Sequence, residues 1–331
     1  MCSLAGMHTM VMCATSQDSL MLKRFSGEVN TEINYGNNYQ SRYRHKWDFP
    51  HITAIGDWDM GKGWSISVEF EYERFYEDGR WGNSFKENFS TNKLYIQKTL
   101  NHSISLTGGI IGVPVGLTNS RGTALTIYDP ESEAALLPMT WHETGFALEG
   151  VYHNIRWMVG GLSYLALPLR ESRILGATAR VDYSISKDIH WGISTYCGSS
   201  IRGMVGFQHP SFVGTNGITY ISTDAAYENH GIVATASFVY GSNHDAHSVG
   251  AEAGYDILHP FKPLQVFRLT PFIRYDGIFR TEFPAINKWT MGVNCSISDG
   301  LMVKLEYSIR RYCGFCTEKN MDVGLGYTWN F

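Results

Sequence analysis

The side chains able to do chemistry in this sequence are charged, of both signs and widely dispersed. Arg156, Arg180, Arg268, Arg274, Lys288, Lys304 and Arg310 are interspersed with Glu69, Glu71, Glu149, Asp182, Asp224, Glu252 and Glu306, most of them set between apolar neighbours. Successive side chains of an extended chain point to opposite faces. These residues therefore share a wet face, and their neighbours share a greasy one. A wet face of mixed sign suits two tasks: filtering ions in a water column, or pairing across strands to stiffen a wall. It suits phosphate selectivity poorly, because that wants Lys and Arg clustered with few acids between them, and no such cluster appears.

A second group falls in one segment, Gly112–His142, which carries Arg121, Tyr128, Asp129, Glu131, Glu133, Trp141, His142 and Glu143. Two readings stand. The segment enters a lumen and these side chains constrict it, or Asp129–Pro130 and Pro138 merely shape a loop with Trp141 packed on a wall. His142 beside Glu143 suggests acid/base catalysis, but neighbours on an extended chain point apart. A lipid hydrolase would need a Ser with a His in hydrogen-bond reach on an outer wall. The twelve His are scattered, and no GxSxG, Walker or HExxH motif occurs. Cys313 and Cys316 form a lone CxxC, read as a loop disulfide or two free thiols and not as zinc ligands. Cys197 and Cys295 fall on greasy positions as small hydrophobes. No metal or cofactor site is read. A net charge of -4 and the lack of a basic stripe argue against nucleic acid.

The elements that would position these groups are strands. Period-2 alternation runs through the chain. From Met321 to Phe331 the odd positions are Met, Val, Leu, Tyr, Trp and Phe, and the even ones Asp, Gly, Gly, Thr and Asn. Trp64–Glu73, Leu175–Ser184, Trp289–Ile297 and Leu301–Arg310 repeat the pattern. With 19 Tyr, 17 Phe, 9 Trp and 34 Gly, composition fits many amphipathic strands. No apolar run reaches the length of a transmembrane helix. Short connections, among them Met60–Gly63, Tyr152–Asn154 and Ser298–Gly300, alternate with longer polar ones. The longer ones are Gly36–Asp48, Phe75–Thr91, Gly112–His142, Leu162–Ser172, Gly198–Gly217, Gly241–His247, Asp276–Asn287 and Arg311–Lys319. The expected fold is all-β: a transmembrane antiparallel β-barrel of about sixteen strands, with short periplasmic turns and long extracellular loops. Residues 1–16 read as a degraded or truncated signal segment, cleaved near Ala14 to Ser16, and 17–331 as the barrel.

Three segments then carry a resemblance: Phe49–Trp64 (FPHITAIGDWDMGKGW), Ile111–Ser120 (IGVPVGLTNS) and Leu137–Gly145 (LPMTWHETG). Together with the terminal YTWNF they resemble the Bacteroidota porins related to the phosphate-selective porin O/P family. The resemblance implies a sixteen-stranded outer-membrane channel for small hydrophilic solutes or ions, with anions such as phosphate among them. It also implies partners: outer-membrane lipid, the barrel-assembly machinery acting on the strand that ends at Phe331, and, by analogy, two further copies in a homotrimer. A surface adhesin or structural barrel with a closed lumen is the alternative, and a barrel lipid hydrolase a more distant one.

Overall fold

The computed structural model describes residues 25–38, 45–82, 88–121, 124–163, 166–167, 170–171, 174–199, 217–242, 245–261, 267–281, 283–314 and 316–331. The signal segment expected at 1–16 lies outside them. Sixteen wall strands follow one another: β1 (Phe25–Asn38), β2 (His45–Gly61), β3 (Trp64–Glu77), β4 (Phe89–Asn101), β5 (Ile104–Gly112), β6 (His142–Tyr152), β7 (Ile155–Leu162) and β8 (Gly176–Ser184). The second half comprises β9 (Ile189–Ser199), β10 (Gly217–Asn229), β11 (Ile232–Gly241), β12 (Ala246–Tyr255), β13 (Arg268–Arg280), β14 (Phe283–Ser298), β15 (Leu301–Tyr312) and β16 (Cys316–Asn330). Every strand pairs antiparallel with the next, and β1 also pairs with β16 from Glu28↔Asn330 to Asn38↔Asn320. The sheet thus closes on itself and leaves no open edge.

Burial is inverted relative to a water-soluble protein. Outward positions are apolar and exposed, as at Ile96, Leu106, Val159, Ile193, Ile273 and Leu305. Inward positions are polar and buried, as at Asn30, Glu32, Arg180, Asp224, Arg274 and Glu306. Exposed aromatic side chains gather near the ends of the strands. Trp58, Trp64, Tyr152, Trp191 and Trp329 stand beside the short turns, and Trp47, Phe89, Phe238 and Trp289 toward the other rim. An apolar band between two aromatic girdles is the surface that a bilayer selects.

The connections are less regular than expected. Three of the segments read as long loops are partly or mostly strand: pairing continues to Gly241↔Ala246, Arg280↔Phe283 and Tyr312↔Cys316. The links left are only 242–245, 281–282 and 313–315. These strand ends carry inward apolar side chains, Ile278, Ile286 and Tyr312, that pack inside the barrel and favour continued pairing. The links at Gly36–Asp48 and Phe75–Thr91 also shrink, to 39–44 and 78–88. Cys197, Cys295, Cys313 and Cys316 are all free thiols, so the disulfide alternative for the CxxC is not realised.

β2 holds one irregularity that matters below. Its register slips between Asp48 and His51 against both neighbours, which places one extra residue at Phe49–Pro50. Proline has no N–H to give to a ladder and is at home in such a bulge.

The lipid face predicts its own sensitivity. Ile193→Arg, midway along β9, should destabilise the barrel by about 2–4 kcal/mol, and Trp329→Arg near the rim by only about 0–1. Urea unfolding from phospholipid vesicles measures both, and equal effects at the two depths would contradict the assignment of the bilayer span.

Candidate functional site

Segment 113–141, between β5 and β6, folds into the lumen. It carries two short helices, α1 (Leu117–Arg121) and α2 (Glu131–Ala134). Its polar groups bond inward-facing side chains around much of the wall. Gly116 N–H donates to Ser194 Oγ (3.2 Å), Leu125 N–H to Glu252 (3.0 Å) and Ile127 N–H to Glu306 (2.8 Å). Ser132 donates to Asp276 through its hydroxyl (2.7 Å) and its N–H (3.1 Å). Lys304 Nζ donates to the Thr126 carbonyl (2.8 Å), and Arg280 to that of Ala135 (3.1 Å).

An apolar clamp holds the same segment. Val113, Val115, Leu136, Leu137 and Trp141 pack on inward-facing Leu162, Tyr196, Tyr220, Val239 and Ile278. Trp141 meets Tyr196 edge-on at 4.9 Å between ring centroids and Tyr220 at 6.1 Å. Two glycines allow the close fit. Gly116 has φ +90°, with Leu137 and Glu133 against it, and a Cβ on Gly250 would lie 2.5 Å from Ser132 Oγ and 2.7 Å from Arg274. Polar anchors and an apolar patch together fix the segment as part of the wall lining.

The structure places the charges of the segment unevenly. Glu131 accepts from Arg310 and lies 3.5 Å from Lys288. Glu133 is turned into the segment itself, where it accepts the first N–H groups of α1, Leu117 (3.1 Å) and Thr118 (2.8 Å), as a carboxylate at a helix start does. Arg121 approaches Asp182 at 3.8 Å. Asp129 is half-buried. Tyr128 reaches the far side, beside Gly36 and under Lys46. His142 donates from Nδ1 to the carbonyl of Thr140 in its own turn (2.7 Å), while Glu143 accepts from the Trp141 indole (3.3 Å).

On the wall, Arg180, Arg274, Lys304 and Arg310 are held by acids or carbonyls. Arg180 is bidentate to Asp224 (2.9 Å for both bonds) and also bonds Asp182. Arg274 bonds Asp276 and approaches Glu252 at 3.5 Å. Arg310 adds Glu318 (3.2 Å) to Glu131. Arg156 and Glu149 are half-buried on β7 and β6. Arg268 keeps the inward register but stands exposed at the short-turn rim.

Most of these contacts fall on β7–β16, and Tyr128 reaches across to Gly36 and Lys46 on β1 and β2. The inner face of β1–β3 is left to Glu28, Glu32, Asp48, Glu69, Glu71 and Glu73. Against these stand Lys46, His51 and, from β4, Lys93, which pairs with Glu69. His51 Nε2 lies 2.8 Å from Glu71, and its Nδ1 lies 3.3 Å from Asp48 and 3.7 Å from Glu73.

Sequence reasoning missed His51, Glu73, Asp48 and Lys93. Strict alternation puts Asp48 and His51 on opposite faces, and only the bulge brings them together. Pro50 inside a strand was the available signal. Ser184 Oγ and His190 Nδ1 also meet, at 3.0 Å. Both point inward, near the turn at 185–188, away from lipid.

No protein-family model matches this chain, and no curated protein matches it. Solved structures do. OmpF of Salmonella typhi, in complex with daunomycin, superposes with TM-score 0.64 at 10% identity over 92% of this chain and 97% of that one. OprB of Pseudomonas putida at high pH gives 0.65 at 8% identity, over 93% and 94%. OmpT of Vibrio cholerae, an outer membrane protein in its trimer form, gives 0.57 at 10% identity, over 92% and 98%. The fold is that of these bacterial outer-membrane proteins.

Glu131→Ala should loosen the segment, because it strips a buried acceptor from Arg310 and Lys288, a change worth about 3 kcal/mol or more. Amide exchange over 124–135 should then quicken by about 100-fold while the wall amides stay protected, as hydrogen-exchange mass spectrometry will read. Unchanged exchange would mean that the ion pairs do not anchor it.

Proposed function

We propose that this chain is an outer-membrane diffusion channel, a water-filled barrel narrowed by segment 113–141, that passes small hydrophilic solutes and favours cations. The greasy outer band and aromatic girdles support the location, and the inward-folded segment on a polar lumen supports the channel. The charge preference rests on one observation. The face opposite the segment is dominated by carboxylates on β1–β3, whereas Arg180, Arg274 and Arg310 each bond carboxylates. An inner wall with acids in excess raises local cation concentration and repels anions.

The phosphate preference implied by the resemblance draws little support from this layout. A phosphate needs several unengaged donors converging on it, and Arg180, Arg274 and Arg310 are engaged by carboxylates. The trimer form of the Vibrio protein makes a homotrimer the expected assembly here. Lipid hydrolysis draws none from Ser184 and His190, which face water. Release of fatty acid from phospholipid vesicles would be needed to revive it.

Purified protein in planar bilayers under about a tenfold KCl gradient should give discrete conductance steps and a reversal potential of cationic sign. Low salt should accentuate the preference, because screening lengths grow as salt falls. Glu28→Gln combined with Asp57→Asn, Asp57 being an exposed acid on the inward register of β2, should shift the reversal potential toward zero. Inorganic phosphate should leave the chloride current unchanged. Anionic selectivity would refute the charge reading, and absence of conductance would refute the channel and favour a closed structural barrel.

A further inference from the structure

The bulge in β2 builds something that a diffusion channel does not need. A carboxylate oxygen from each of Asp48 and Glu73 and a ring nitrogen of His51 lie within 4.8 Å of one another. Two edges of that triangle, His51 to Asp48 and His51 to Glu73, measure 3.3 and 3.7 Å. A tetrahedral zinc with ligand bonds of about 2.0–2.1 Å has ligand–ligand edges of about 3.3–3.4 Å. Two edges of the triangle are therefore close to those of such a tetrahedron, and the third is no longer than 4.8 Å.

The surroundings carry the argument further. His51 presents Nδ1 to the two carboxylates because its Nε2 is taken by Glu71 at 2.8 Å. Glu71 is itself held by Asn92 (2.7 Å) and Ser90 (3.4 Å). A carboxylate on the far nitrogen of a histidine fixes the tautomer and aims the near nitrogen, the usual support of a metal-bound imidazole. Asp48 is 2% exposed, and its Oδ1 has no hydrogen-bond partner. A buried carboxylate oxygen without a donor is costly, and a cation relieves it. The Tyr128 hydroxyl, from the inward-folded segment, is likewise buried without a partner and lies within electrostatic reach of Asp48 and Glu73. The set is one imidazole and two carboxylates on adjacent strands, open to a lumen on the fourth side, as in zinc sites with three protein ligands and one exchangeable position.

We propose that Asp48, His51 and Glu73 form a lumenal binding site for a divalent transition cation such as Zn²⁺, with Glu71 as the residue that positions His51. Lys46, its Nζ 4.0 Å from the Phe75 ring centroid, is the cation beside it on β2. Binding is independent of conduction, so the site stands or falls separately from the channel reading.

Isothermal titration of the full-length protein in detergent with ZnCl₂ should show saturable binding of one ion per chain at this site. His51→Ala and Asp48→Asn should each weaken it by about 100-fold, and Glu71→Gln by about 10–100-fold. Strand content by circular dichroism checks that each variant folds. X-ray absorption at the zinc edge of the unmutated protein, which requires no variant, should show one imidazole among oxygen ligands. No saturable binding below about 1 mM, affinity unchanged in His51→Ala, or a zinc spectrum without imidazole would each overturn the proposal. Equal affinity for Ca²⁺ would overturn it too, since an oxygen-seeking ion gains little from the histidine.

Discussion

Inside a bilayer no water is available to satisfy a backbone N–H or C=O, so every one of them must find its partner within the protein. Pairing of β1 with β16 meets that demand by joining the two ends of the sheet, down to the reciprocal bonds between Gly27 and Phe331. Once the ring is closed, each strand has two solvents and its sequence must serve both. Apolar side chains go outward to lipid, and polar ones accumulate inside at a density that no water-soluble core would tolerate. The mixed charges of the lumen follow from this: a buried Arg180 or Arg274 is stable because acids on its own and nearby strands bond it in place.

The inward-folded segment is a second consequence. A lumen bounded by sixteen strands is wide, and segment 113–141 fills part of it by carrying both kinds of anchor. Its helix ends and carbonyls engage charged wall residues, while Leu136, Leu137 and Trp141 sit on an apolar patch inside the barrel. The patch lies where β7 and β9–β14 approach the long-loop rim, so the lumen is apolar there and polar elsewhere. That asymmetry leaves the carboxylates of β1–β3 as the charged face opposite the segment.

Much of this was legible in the sequence. Alternation identified the wall, its sidedness and the number of strands, because one lipid face and one water face impose period two wherever the chain crosses. The inward orientation of Arg180, Asp224, Arg274, Lys304 and Glu306 followed from parity alone. Legibility ended where parity broke. Val239, Ile278 and Ile286 are apolar at inward positions because the segment covers them, and a single strand does not reveal what lies over it. The ends of β13–β16 look like loops, since polar residues there serve pairing and the lumen together. Glu133 looked available to a pore, yet it caps α1, a role set by a fold-back sixteen residues long. The Asp48–His51 pair was hidden by the bulge.

That bulge makes β2 a strand with two phases. Above Phe49–Pro50, Lys46 and Asp48 face water and Trp47 faces lipid; below it, His51 and Asp57 face water and Trp58 faces lipid. Deleting one residue there would bring the two halves into step and invert one of them, so that Lys46 and Asp48 turned into hydrocarbon or His51 and Asp57 did. The strand therefore tolerates exchange of residue type far better than a change of length, and a family of such barrels would keep the spacing between Asp48 and His51 even while their neighbours drift.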